Sequence, residues 1–146
     1  MSDHVPVRLC KGAYKEPPEI AFPKKRDVDA NYDLLARMLI DGSLACGSPR
    51  LSPNGCIPPT AAIASHDAGR LVAAKAYAEK VGLPKDAIEF QMLYGIGREL
   101  QEQTVAEGYP VRVYVAYGTE WYPFYVRRLA ERPANLWFFA SSYFKN

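Results

Sequence analysis

Apolar and polar positions switch repeatedly along the chain between alternation and a roughly 3.6-residue period, and each switch marks an element. VPVRLCKG (5–12) starts on branched residues and closes in glycine, as a strand running into a loop does. After the proline-bearing KEPPEIAFPKK, the stretch DVDANYDLLARMLIDG places Val28, Asn31 or Tyr32, Leu35, and Met38 or Leu39 on one face. That spacing predicts an amphipathic helix with Gly42 as its C-cap. SLACGSPRLSPNGCIPP (43–59) is rich in proline and glycine and has no period, so it reads as a long loop or insertion. TAAIASHD (60–67) is a short apolar strand, and GRLVAAKAYAEKVGL an alanine-rich helix. AIEFQMLYGI (87–96) is the next strand, and RELQEQTVAEG the next helix, again closed by glycine. VRVYVAYG (111–118) alternates most clearly of all. Thr119 can cap a helix after it, with Pro123 tolerated in the first turn and Pro133 ending it.

Each gap between strands is filled by a helix, without any repeat at the sequence level. Parallel strands joined by right-handed helical crossovers follow from this order. About four β/α units admit two solutions: a small open sheet covered on both faces, or half of an eight-unit barrel, which takes about 250 residues when complete. Length alone favours the first. In either, the loops after the strand C-termini face one way and form the natural ligand site.

Composition narrows the function classes. A chain of 146 residues with 49% apolar content builds one domain with a core. Its 18 basic and 16 acidic residues are interspersed, so no basic stripe argues for nucleic acid. Cys10, Cys46 and Cys56 form neither a paired framework nor a CxxC spacing, and MSDHVPV lacks the regions of a signal peptide. A reducing, cytoplasmic setting is expected. With His4 and His66 as the histidines, no histidine-rich metal site is expected. No apolar run reaches the ~18 residues that span a bilayer. LWFFASSYF near the C-terminus is long enough only to rest on a lipid surface or on another protein surface.

The candidate chemistry collects at one rim. Arg8, the KGAY turn (11–14), Ser65, His66, Asp67, Gln91, Leu93 and Tyr114 fall at or near the C-terminal halves of predicted strands, and Arg127 and Arg128 on the helix after the last one. Each has an ordinary reading. Paired arginines in a helix are usually solvated or bridged, and Glu131 stands at the right spacing to bridge them. A lone His66 is more often a loop hydrogen-bonder than a catalyst, and Tyr114 can simply pack. Gln91 on a central strand and Arg8 on an apolar one resist this reading, because buried amides and guanidiniums need partners. Together they suggest a polar ligand in or above the sheet. No GxGxxG, GxxxxGK[ST] or GxSxG is present.

RLCKGAYKEP (8–17), EFQMLYGI (89–96), VRVYVAYG (111–118) and YVRRLAERPAN (125–135) resemble the proline dehydrogenases, flavoenzymes built on a distorted (β/α)8 barrel. The resemblance covers essentially the whole chain, more loosely over 40–60, and corresponds to the second half of that catalytic domain. It implies an α/β fold that is a partial TIM barrel, with residues 1–146 forming strands five to eight and their helices, and a loop insertion at 43–59. It implies FAD as cofactor, oxidation of L-proline to 1-pyrroline-5-carboxylate, and a quinone as electron acceptor, with peripheral contact at the inner membrane. The family's first four strands, with a lysine and an aspartate of the site, have no counterpart here.

The resemblance carries roles residue by residue. Arg8 takes the position of the guanidinium near flavin N5, and Gln91 that of a side chain facing the isoalloxazine ring. Lys11, Gly12, Lys25, Ser65, His66 and Asp67 match contacts to the rest of FAD. Leu9, Tyr14, Leu93 and Tyr114 match the wall around the pyrrolidine ring. Arg127 and Arg128 match the pair that grips the substrate carboxylate, Arg128 also touching the cofactor, and Glu131 a helix carboxylate near the flavin. The catalytic set so implied is Arg8, Tyr14, Tyr114, Arg127 and Arg128. Guanidiniums suit a carboxylate because they offer two parallel donors and so fix orientation. Cys10 stands where a branched aliphatic residue is usual, and Ala116 where a proline is common. A half-barrel exposes two strand edges, so a complementary N-terminal half or a second copy is the expected partner. The alternative is a non-catalytic assembly or binding module that keeps the rim as inherited structure.

Overall fold

The computed structural model describes residues 5–12, 16–115, 117–119 and 122. Strands β1 (Val7–Cys10), β2 (Ala61–Ala64), β3 (Ile88–Leu93) and β4 (Val111–Tyr114) form one parallel sheet in the order β1-β2-β3-β4. Helix α1 (Lys25–Ala45) links β1 to β2, α2 (Ala68–Val81) links β2 to β3, and α3 (Arg98–Ala106) links β3 to β4. A short 3-10 turn at Lys85–Ala87 leads into β3. A doubly wound sheet needs a reversal in strand order, and this sheet has none; same-handed crossovers in a monotonic order put the helices on one side.

Register explains the two faces. Leu9, Ile63, Phe90 and Val111 lie side by side across the sheet, as do Cys10, Ala64, Gln91 and Arg112. Because strand side chains alternate, the first row and its i±2 neighbours share one face and the second row the other. The first face is apolar and packs under the helices, with Ile63, Ile88 and Phe90 fully buried beside Ile40 of α1 and Leu71 of α2. Burying a side chain of that size contributes roughly 1.5–3 kcal/mol. Phe90 also meets Tyr109 edge to face at 5.4 Å. Lys75, almost buried on α2, lies over both of these rings and bonds Thr104 and Glu107, which ties α2 to α3.

α1 departs from the expected helix in two ways. It runs through Gly42 to Ala45, and Gly47, at φ 81°, takes the left-handed position that follows the helix end. Ser48 N–H then bonds back to Ser43 O at 2.8 Å. The loop therefore starts near residue 46, not 43. The buried stripe is Tyr32, Ala36, Ile40 and Ser43, while Met38 is 59% exposed. Small residues let the helix approach the sheet closely, and an apolar count gives them little weight. β4 ends at Tyr114, short of the expected 118. The helix expected after Thr119, with Pro123 and Pro133, lies outside the described residues. No helix among the described residues is long and apolar enough to cross a membrane.

Candidate active site

The second face of the sheet is polar. Arg8 stands on the edge strand β1 and is exposed, not buried as its apolar strand suggested. Its Nε–H donates to Gln91 Oε1 at 2.5 Å, two strands away. The residues between them on β2, Ala62 and Ala64, are small enough to let the guanidinium cross. Gln91 is buried and donates from Nε2 to Glu89 Oε1 at 2.6 Å. Glu89, 1% exposed, takes Nε–H and Nη2–H of Arg112, each at 2.8 Å. Arg112 also donates to the carbonyl of Gly55, which fastens the long loop to this face. So the partners that Arg8 and Gln91 require are one another and Glu89. This removes the argument that a ligand must satisfy them, and leaves an exposed, oriented guanidinium.

A second cluster caps the C-terminal ends of β1 and β2. Lys11 donates to Asp29 at 2.5 Å and to Asp67 at 3.0 Å, and Lys25 pairs with the same two carboxylates. Hydrogen bonds from Lys11 and then Lys25 hold the Asp29 carboxyl down at about 2. Partial burial works against ionisation of Asp67, but Lys11, Lys25 and Arg70 outweigh it and keep its carboxyl below the usual range. Asp67 also accepts Gly69 N–H at 3.0 Å and so caps α2. Ser65 Oγ accepts the N–H of Asp67, closing the turn. The cations expected to meet a cofactor are thus neutralised within the cluster.

Tyr32 stitches this end together. Its buried hydroxyl lies 3.2 Å from Leu9 O and 3.0 Å from Ala64 O, so one proton is shared between carbonyls at the ends of β1 and β2 and ties α1 to them. Burial pushes its phenol far above the usual tyrosine range. His66 Nε2 accepts the N–H of Leu93 at 2.9 Å and braces the end of β3. Burial pushes its imidazole below the ordinary histidine value, and an acceptor nitrogen is by its nature unprotonated.

At the rim Leu93 and Tyr114 are register neighbours, 38% and 49% exposed, and Tyr94 beside them is 66% exposed. The polar face, with Arg8, Gln91, Leu93 and Tyr114, therefore holds four of the expected site residues together. Lys11, Gly12, Ser65, His66 and Asp67 lie in the turns after β1 and β2, and Lys25 joins them from the start of α1. Leu9 does not join: it shares the row of Ile63 and Phe90 and packs against the core on the opposite face. Its alternation with Arg8 already implied this. Tyr14, Arg127, Arg128 and Glu131 lie outside the described residues.

Glu89, Arg112, Asp29 and Tyr32 were not singled out from sequence. Glu89 and Gln91 stand two apart in IEFQML, which places both on one face, and Arg112 alternates with two valines. That signal was present, but pairing them requires the register.

The proline dehydrogenase family profile matches residues 1–141. Proline dehydrogenase 2 of Bacillus subtilis is 42% identical over 133 residues, 90% of this chain and 39% of that protein. Proline dehydrogenase of Deinococcus radiodurans is 44% identical over 129 residues, 88% of this chain and 37% of that protein. The chain thus spans less than two fifths of the length of these curated relatives. Among solved structures, proline utilization A from Bdellovibrio bacteriovorus, inactivated by N-propargylglycine, superposes with a TM-score of 0.53 at 37% identity, over 67% of this chain and 9% of that one. The blocks that carry the rim and the sheet that orients Arg8 thus coincide with a match over nearly the whole sequence, and the chain belongs to the proline dehydrogenase family.

Proposed function

We propose that this chain supplies one half of a (β/α)8 barrel that oxidises L-proline to 1-pyrroline-5-carboxylate with FAD and passes the electrons to a quinone. Among the described residues the sheet has four strands, with β1 and β4 at its two ends, and a closed barrel of this type takes eight. A complementary β/α half, or a second copy, completes the barrel in this reading.

The observation that carries the proposal is Arg8: a guanidinium exposed at the rim, held in orientation by a buried amide. The residues present fit a flavin ring, which needs a hydrogen-bond donor at its heterocyclic edge and flat apolar surface beside it. Arg8 keeps its terminal nitrogens for such a donor role, and Leu93, Tyr94 and Tyr114 offer the apolar surface. Bound flavin supplies the hydride acceptor. The chain's own residues bind and orient. Leu93 and Tyr114 pack the substrate ring; Arg127 and Arg128 take its carboxylate in a bidentate grip. Fixing both ends aims the reacting carbon, and such positioning can contribute ~7 kcal/mol or more. A cation near the flavin edge also favours its reduced, anionic form.

Mixing the purified chain with FAD and proline, alone and with a polypeptide carrying the first four strands of a relative, tests this. Quenching of flavin fluorescence and bleaching on proline addition, strongest with the complement, are expected. Absence of both under every condition refutes the proposal. It would leave a second reading, a non-catalytic assembly module, which the self-satisfied Lys11 and Lys25 cluster favours.

A further inference from the structure

We propose that Glu89 is a positioning residue that fixes the guanidinium of Arg8 through Gln91; its relevance to a ligand rests on the proposed function. Arg8 and Glu89 are joined through the amide of Gln91. An amide has a donor end and an acceptor end, and nothing in its shape decides which way it points. Here Glu89 fixes it from the buried end, and Arg8, a donor, matches it from the exposed one. A carboxylate offers acceptors only, so it draws Nε2 of Gln91 at 2.6 Å and leaves Oε1 to face Arg8 at 2.5 Å. Arg112 holds Glu89 in place with two bonds of 2.8 Å, and its contact to Gly55 O anchors it to the loop below the sheet. Deep burial of Glu89 and Gln91 denies either group a substitute partner from bulk water. The result is a directed chain across the polar face, from Arg112 on β4 through Glu89 and Gln91 on β3 to Arg8 on β1.

The paired change Glu89→Leu with Arg112→Leu discriminates, because it removes the carboxylate and its counter-charge together. Glu89 Oε1 accepts from both Gln91 and Arg112, and Oε2 from Arg112. Without that acceptor the NH2 of Gln91 loses its anchor, and the amide is held from the side of Arg8 alone. Glu89→Gln is the milder change: its one oxygen can keep the bond from Gln91 while its NH2 faces Nη2 of Arg112, so the direction of Gln91 is preserved.

The readout is the Nε–H of Arg8 in the 15N-labelled chain, assigned by the signal that Arg8→Lys removes. In Glu89→Leu with Arg112→Leu its exchange with water is expected to quicken by about tenfold, the equivalent of one charge-supported hydrogen bond. Backbone exchange in β2 and β3 is expected to hold. Gln91→Leu should give the same acceleration, and the three changes together no more than either alone. Unchanged Arg8 exchange in the paired variant, or fully additive effects, overturns the proposal. Glu89→Met with Arg112→Met stands in should the leucine pair fold poorly, and retained protection there is equally fatal. A parallel flavin titration separates the two claims. Arg8 released while no chain quenches flavin supports the positioning role and sinks the flavin reading; weaker quenching in the paired variant than in the parent supports both.

Discussion

Removing one oxygen from Tyr32 should loosen the whole rim. The residue is 3% exposed, and its hydroxyl lies within hydrogen-bonding distance of carbonyls near the C-terminal ends of two strands, Leu9 O at 3.2 Å and Ala64 O at 3.0 Å. One hydroxyl has one proton, so Tyr32→Phe forfeits one hydrogen bond's worth of net stability, about 0.5–1.5 kcal/mol. It also leaves buried carbonyl oxygens short of a donor, which adds up to a few kcal/mol if water cannot reach them. The ring stays and no cavity opens, so packing loss is small. A total of about 1–3 kcal/mol is expected. For a domain of this size that lowers Tm by roughly 3–10 °C. Urea denaturation followed by circular dichroism measures it, with the slope unchanged if only the native state is affected. Tyr77→Phe is the control: its hydroxyl bonds Asp41 at the surface, and its loss should cost under about 0.5 kcal/mol. A Tyr32→Phe change no larger than the control, at equal slope, would refute the claim that this hydroxyl ties α1 to the strand ends.

Three further outcomes follow from the same geometry. Asp29 has its folded pKa depressed to about 2 from 3.8, so its contribution is complete above pH 3.8 and lost as pH falls toward 2. Lys11→Met removes the largest cause and should move the acid-unfolding midpoint, read by far-ultraviolet circular dichroism, to higher pH. Burial depresses the folded pKa of His66 below 6.5, so the unfolded chain binds that proton first; stability should decline as pH drops below 6.5, and His66→Gln should flatten that decline in denaturation series between about pH 7.5 and 5. Under the proposed function Arg127→Lys replaces a two-pronged donor by a point charge, and the proline concentration for half-maximal flavin bleaching should rise about tenfold or more; an unchanged value would remove Arg127 from the site.

How much was legible in advance depends on the range of the interaction. The alternation in VRVY, the apolar run of AAIA and the helical stretches between them follow from local periodicity, so strand and helix order emerged from sequence alone. Gly82, with its left-handed φ of 76°, closes α2 where a glycine after an apolar helix is expected. Local pattern failed in α1, where Ala36 and Ser43 carry the buried stripe and Gly47 replaces Gly42 as the glycine that follows the helix end. Alanine and serine weigh little in an apolar count but allow the closest approach of helix to sheet. At the site, sequence singled out Arg8, Gln91, Leu93 and Tyr114, which do share a face, while Leu9, added by the resemblance, lies in the row that packs on the core.

What only the tertiary structure decided is pairing. Arg112 reaches Glu89 because β3 and β4 adopt one register, and Arg8 reaches Gln91 because two alanines on β2 stand between them. The resemblance assigns Lys11 and Lys25 to a cofactor, and in space they share Asp29 and Asp67. A chain's periodicity records which residues avoid water, since that preference belongs to each residue singly. A hydrogen bond or ion pair belongs to two residues at once, and their meeting is set by strand order and register.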